Sequence, residues 1–132
     1  MVTPLPTGTV TFLFSDIEGS TPLWEQHSLL MAQALQFHNA VLRQAIESTG
    51  GAVFKFVGDS FQAAFPTALQ ALTAAIAGQR AVQAAPWNEL GPLKVRMGLH
   101  TGEAELDLSG DEYTVSHTKN RTARVMSAAH GG

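Results

Sequence analysis

With 132 residues, 45% hydrophobic and 14% charged, the chain can build one compact domain with a core, though not comfortably two, and it is too apolar for a disordered segment. A formal charge of −3 supplies no basic footprint, so no nucleic-acid partner is expected. The absence of cysteine excludes a disulfide framework and any cysteine-ligated zinc site.

Residues 1–8 read as a lead segment and residues 9–132 as a single domain. The opening MVTPLPTG lacks a basic n-region and is interrupted by Pro4 and Pro6, unlike a signal peptide. Residues 9–16, TVTFLFSD, are β-rich, and the apolar run Val10, Phe12, Leu13, Phe14 predicts a strand buried on both faces. After a turn through Ile17-Glu18-Gly19-Ser20, Thr21 is the expected N-cap and Pro22 the first helical residue. One long helix is predicted from there to Ser48, with Leu35, His38, Val41, Leu42, Ala45 and Ile46 as its inner stripe and Gly50-Gly51 as its stop.

Two apolar β segments follow, Ala52–Val57 and Ser60–Phe65, separated by Gly58-Asp59 at hairpin spacing. Thr67 is expected to cap a second helix over Ala68–Ala85, ended by Pro86. That stretch is the most apolar in the chain, yet Gln70, Thr73, Gln79, Arg80 and Gln83 keep it short of the ~20 apolar residues a membrane span needs. A soluble cytoplasmic protein with no membrane segment is the expectation. Leu93–His100 reads as a further strand continuing toward Leu106, and a short helix is predicted over Lys119–Ala129. The order β-α-β-β-α-β plus a helix is a ferredoxin-like α+β pattern. In it the first strand neighbours the hairpin, bringing Asp16 near Asp59.

Two aspartates at adjacent strand ends repel each other unless neutralised. Hard divalent cations do this through oxygen ligands, and Mg²⁺ commonly combines one or two carboxylates with substrate phosphates. A pair of such ions suits phosphoryl displacement. The plainer alternative makes Asp16 the cap of the following turn and Asp59 an ordinary hairpin residue; spacing alone leaves both open. The segment Ile17-Glu18-Gly19-Ser20-Thr21 leads into a helix N-terminus, where unpaired amides and the helix dipole favour anions.

The stretches VTFLFSDIEGSTPLWE, FKFVGDSFQAAF, VRMGLHTGEAE and NRTARVMSAAHGG together resemble the bacterial class III adenylyl/guanylyl cyclase catalytic domain, from about Thr9 to the last residue. The resemblance implies the class III fold with its last strands missing, and a homodimer whose active sites combine residues of both protomers. It implies two Mg²⁺ or Mn²⁺ ions on Asp16, Asp59 and the Ile17 carbonyl, and a triphosphate-binding turn formed by the backbone of Ile17, Glu18, Gly19, Ser20 and Thr21. Lys55 matches the residue that reads adenine; a lysine donates hydrogen bonds and cannot accept them, which favours ATP over GTP. Asn120 and Arg124, on one helix face, match the pair that orients the ribose and stabilises charge on the α-phosphate.

The chain departs from the family pattern between Tyr113 and Asn120, where Lys119 takes a usually apolar position and the spacing is one residue longer. The second adenine-reading residue is then Glu112, or alternatively Thr114. The chain also stops at Gly131-Gly132, within a motif that family members continue past. The expected activity is conversion of ATP to 3′,5′-cyclic AMP and pyrophosphate. The alternative is a weak or inactive cyclase-homology module that binds nucleotide and regulates attached domains or a partner.

Overall fold

The computed structural model describes residues 4–114 and 117–132. The first three residues of the lead segment, and Val115-Ser116 within the departing stretch, lie outside the described residues. The elements in chain order are β1 (Gly8–Ile17), α1 (Ser20–Gln26), α2 (Ser28–Ser48), β2 (Ala52–Val57), β3 (Ser60–Phe65), α3 (Ala68–Ala84), β4 (Val95–Ala104) and α4 (His117–Ser127). The strands form one antiparallel sheet in the order β2-β3-β1-β4. This is the ferredoxin-like α+β arrangement that the element order predicts.

β1 lies inside the sheet, bonded to β3 on one side and β4 on the other. Its period-two alternation sends Leu13 to the face covered by α2 and α3, and Val10, Phe12 and Phe14 to the face covered by α4. That is why apolar residues stand at consecutive positions from Phe12 to Phe14. On the first face Leu13, Phe61, Ala63, Phe65 and Val95 meet Leu42, Ile46 and Val82. On the second, Phe12 and Phe14 join Phe54 and Tyr113 in an aromatic group with ring centroids 4.9–6.4 Å apart.

α3 starts as expected, with the Thr67 hydroxyl accepting from the Gln70 amide at 3.2 Å. α4 runs over His117–Ser127 rather than Lys119–Ala129, starting and ending earlier than its apolar pattern predicts. Among the described residues, no helix is long and apolar enough to cross a membrane.

The helix expected from Thr21 to Ser48 is two helices. The chain leaves helical geometry at His27 (φ −141°, ψ 52°), and α1 begins after Gly19, with Thr21 inside it rather than capping it. Histidine is no helix breaker, so the cause is tertiary: the break keeps Leu23 against the cluster of Ile17, Met31, Ala34 and Leu93. The backbone stays satisfied across it, since His27 N–H bonds Leu23 C=O at 2.9 Å and Met31 N–H bonds His27 C=O at 2.7 Å.

Candidate active site

The pairing of β1 with β3 reaches Ser15 opposite Phe61. Continued by one step, that register sets Asp16 beside the tip of the β2–β3 hairpin, where Asp59 sits after Gly58. The two carboxylates are in different states. One oxygen of Asp59, Oδ2, is buried without a hydrogen-bond partner. Both oxygens of Asp16 are held by Arg96, with Nε at 2.7 Å and Nη2 at 2.5 Å. Arg96 lies directly across from Asp16 in β4, so the contact is a cross-strand pair in fork geometry. Hydrogen bonding to Asp16 pushes the Arg96 guanidinium above its ordinary pKa.

Arg96 is absent from the site read in the sequence. Its signal lay in the VRMGLHTGEAE stretch, but the contact follows from the register between β1 and β4, which sequence periodicity does not encode. Among the described residues no group of three or more His, Cys, Asp or Glu side chains gathers to hold a metal. Two carboxylates, one with a buried oxygen unpartnered, are the donor type that fits a hard cation taking its remaining ligands from substrate phosphates and water.

The turn after β1 is partly committed to the fold. Glu18 N–H donates to the Lys94 carbonyl at 2.8 Å, which removes it from the amides open to an anion. Gly19 adopts φ +70°, and nothing lies within 4 Å of where its Cβ would stand. A side chain there would be strained by the backbone, although it has room, and the first amides of α1 beyond it have no intrahelical partner.

Lys55 reaches its position through a β-bulge. Val53 pairs with Ala63, but the next paired residue, Lys55, stands opposite Gln62, so the register shifts by one within β2. Val53 thus packs with the α2/α3 cluster, while Lys55 moves to the α4 face; a regular ladder would leave it on the other. There its ammonium stands 4.0 Å from Oε2 of Glu112. Lys119 of α4 approaches Oε1 of the same carboxylate at 3.3 Å. Glu112, rather than Thr114, is therefore the neighbour of Lys55; the Thr114 hydroxyl donates to the Glu105 carbonyl at 3.3 Å.

α4 crosses β4 almost backbone to backbone. A Cβ on Gly98 would lie 2.4 Å from the Met126 nitrogen, and one on Gly102 would lie 2.5 Å from the Thr118 hydroxyl. Thr118 and Thr122 are buried beneath the helix, and Asn120 and Arg124 occupy its exposed side. Among the described residues, neither of these two side chains makes a hydrogen bond or ion pair. The structure therefore joins Asp16 to Arg96, and Lys55 to Glu112 and Lys119, while leaving Asn120 and Arg124 open to solvent.

His38 and Trp87 fall where packing dictates. His38 is fully buried, stacked on Phe61 at 5.9 Å, and burial holds its pKa below the ordinary value. Trp87 packs edge-on to Phe37 and donates Nε1–H to the Val82 carbonyl at 2.6 Å.

A family model described as the adenylate and guanylate cyclase catalytic domain matches residues 2–132. The chain is 43% identical over 129 residues to an uncharacterized protein of Mycobacterium tuberculosis, covering 96% of this chain and 42% of that protein. It thus spans less than half the length of that relative. It is 33% identical over 149 residues to an adenylate cyclase of Schizosaccharomyces pombe, covering 96% of this chain and 9% of that enzyme. Adenylate cyclases from Trypanosoma brucei, solved in their monomeric state, include a chain that superposes with a TM-score of 0.88 at 28% identity, covering 98% of this chain and 72% of that one. With strand order, motif placement and these likenesses in agreement, the chain belongs to the adenylate and guanylate cyclase catalytic domain family.

Proposed function

We propose that this domain is an adenylyl cyclase that converts ATP to 3′,5′-cyclic AMP and pyrophosphate in a homodimer with shared active sites. The observation that supports the reading is the antiparallel pairing of β1 with β3, whose register runs toward Asp16 on one strand and the hairpin tip carrying Asp59 on the other, with one buried Asp59 oxygen left without a partner. In the reaction the ribose 3′-oxygen bonds to the α-phosphorus, the bond from that phosphorus to the bridging oxygen breaks, and the hydroxyl proton passes to solvent.

Asp16, Asp59 and the Ile17 carbonyl are the groups that would hold two Mg²⁺ or Mn²⁺ ions. Such ions, when bound, lower the pKa of the 3′-hydroxyl and offset phosphate charge. Arg96, released from Asp16, offers a planar two-pronged donor to phosphate oxygens. The amides of Gly19, Ser20 and Thr21 add anion contacts. Lys55 and Glu112 present a donor beside an acceptor, which complements adenine N1 and its 6-amino group; guanine carries the opposite pattern. Asn120 and Arg124, unpartnered on the outside of α4, suit a role at the strand ends of a second protomer.

The test is cyclic AMP formation from ATP with Mn²⁺, in the wild type and in Asp59→Ala. Loss of a metal ligand is expected to cost several kcal/mol of transition-state stabilisation, at least about a hundredfold in rate, with the melting temperature held. Undiminished turnover overturns the metal assignment. A second reading, a module that binds nucleotide without turning it over, is favoured by one observation: Arg96 occupies both oxygens of Asp16. ATP binding with no cyclic product in the wild type selects that reading.

A further inference from the structure

We propose that Lys119 is a positioning residue for base selection. It holds the Glu112 carboxylate so that Oε2 faces an adenine edge, and it keeps Lys55 from collapsing onto Glu112. The proposal deepens the adenine-nucleotide reading above and rests on it.

Glu112 is clamped through one oxygen. Oε1 receives the Lys119 ammonium at 3.3 Å and the Tyr113 N–H at 3.2 Å. Oε2 faces Lys55 at 4.0 Å, an ion-pair distance that is too long for a hydrogen bond. The acceptor and donor of the base-facing edge thus stand side by side without satisfying each other.

Lys119 is suited to the clamp because its own position is held. Its side chain is 16% exposed against 44% for Lys55. Its ammonium lies 5.7 Å from the Phe54 ring centroid, in range of a cation–π attraction. Phe54 is in turn locked among Phe12, Phe14 and Tyr113. A glutamate reaching toward a base has three side-chain torsions to fix, and two donors on one oxygen restrict them before a ligand arrives.

The electrostatics lead to the same role. One carboxylate is shared by two ammonium groups, and the nearer takes the larger part of its attraction. Without Lys119 no second ammonium among the described residues competes with Lys55 for Glu112, so Lys55 is drawn in from 4.0 Å to direct contact. Donor and acceptor then satisfy each other, and the edge complementary to adenine is lost.

The test is calorimetric titration of ATP and of GTP, each as the 3′-deoxy form that lacks the attacking hydroxyl and each with Mn²⁺, into the wild type, Lys119→Met, Lys119→Arg, Glu112→Ala and the double variant Glu112→Ala/Lys119→Met. Loss of one charge-assisted contact predicts roughly tenfold weaker ATP binding in Lys119→Met, with GTP binding within about twofold of wild type. Lys119→Arg should restore the ATP-to-GTP ratio. In the Glu112→Ala background, Lys119→Met should change that ratio no further, because Lys119 acts through Glu112.

A wild-type preference for ATP that survives in Lys119→Met overturns the assignment of Lys119 alone. A wild type that binds both nucleotides equally overturns the adenine reading and this proposal with it. If Lys119→Met fails to fold, Lys119→Gln, which keeps the stem over Phe54 and loses the charge, is judged by the same ratio.

Discussion

On the α2/α3 face, the sheet presents Leu13, Phe61, Ala63, Phe65 and Val95 to a continuous apolar cluster. On the α4 face, the helix meets β4 through Gly98 and Gly102, with contacts that leave no room for a Cβ. The first face is filled by side chains alone; the second combines the aromatic group of Phe12, Phe14, Phe54 and Tyr113 with backbone proximity at β4. A helix that lies so low covers β4 and β1 and leaves the edge strand β2 and the strand ends accessible. The Asp16–Arg96 pair and the Lys55–Glu112–Lys119 group both lie in that uncovered margin. Both faces of the sheet therefore carry buried apolar clusters, and the polar groups gather at the margin of the α4 face.

Substitutions on the two faces should separate accordingly. Phe61→Ala, which empties a site 1% exposed beside His38 and Phe56, should cost ~3–5 kcal/mol in urea unfolding. A smaller loss than that from a substitution under α4 would break the comparison. Gly98→Ala should cost ~1–3 kcal/mol, because the new methyl meets the Met126 backbone rather than a movable side chain. Displacement of α4 should also lower cyclic AMP formation beyond what unfolding explains, since Asn120 and Arg124 ride on that helix.

Arg96→Gln sharpens the comparison at the strand ends. Removing the internal cation from a partly exposed pair, with side chains 27% and 16% accessible, frees ~1 kcal/mol of competition. Mn²⁺ should then bind without nucleotide roughly fivefold tighter, as read by electron paramagnetic resonance titration. Unchanged or weaker binding would mean that Arg96 does not compete with a cation at Asp16.

The smallest effect concerns His38 on the filled face. Burial, opposed by its bond to Asn39 and by the charge of Asp59, lowers its pKa from the ordinary 6.5. The unfolded chain therefore protonates first: stability is fully present above 6.5 and is lost as pH falls through the folded value. Unfolding free energy should drop as pH falls below the ordinary 6.5, and His38→Gln should flatten that drop. An unaltered slope in the variant would assign the dependence to another group.

Much of this architecture is legible in local signals. The apolar run of β1 announced a strand buried on both faces, Gly58-Asp59 announced the hairpin, and Thr67 and Pro86 bounded α3. From the element order alone, β1 was expected beside the β2–β3 hairpin, and β1 does pair with β3. The break at His27 was not legible, because no breaker residue marks it and its cause is the packing of Leu23.

The sequence by itself determined the elements, their order and which residue types stand at the strand ends, because helix and strand periodicity and turn chemistry are properties of neighbours along the chain. Tertiary structure alone decided that Arg96 faces Asp16, that a bulge turns Lys55 toward α4, and that Glu112 rather than Thr114 meets it with Lys119 alongside. The physical reason is register. A shift of one residue reverses the face of every side chain that follows, and only the assembled sheet holds it in place.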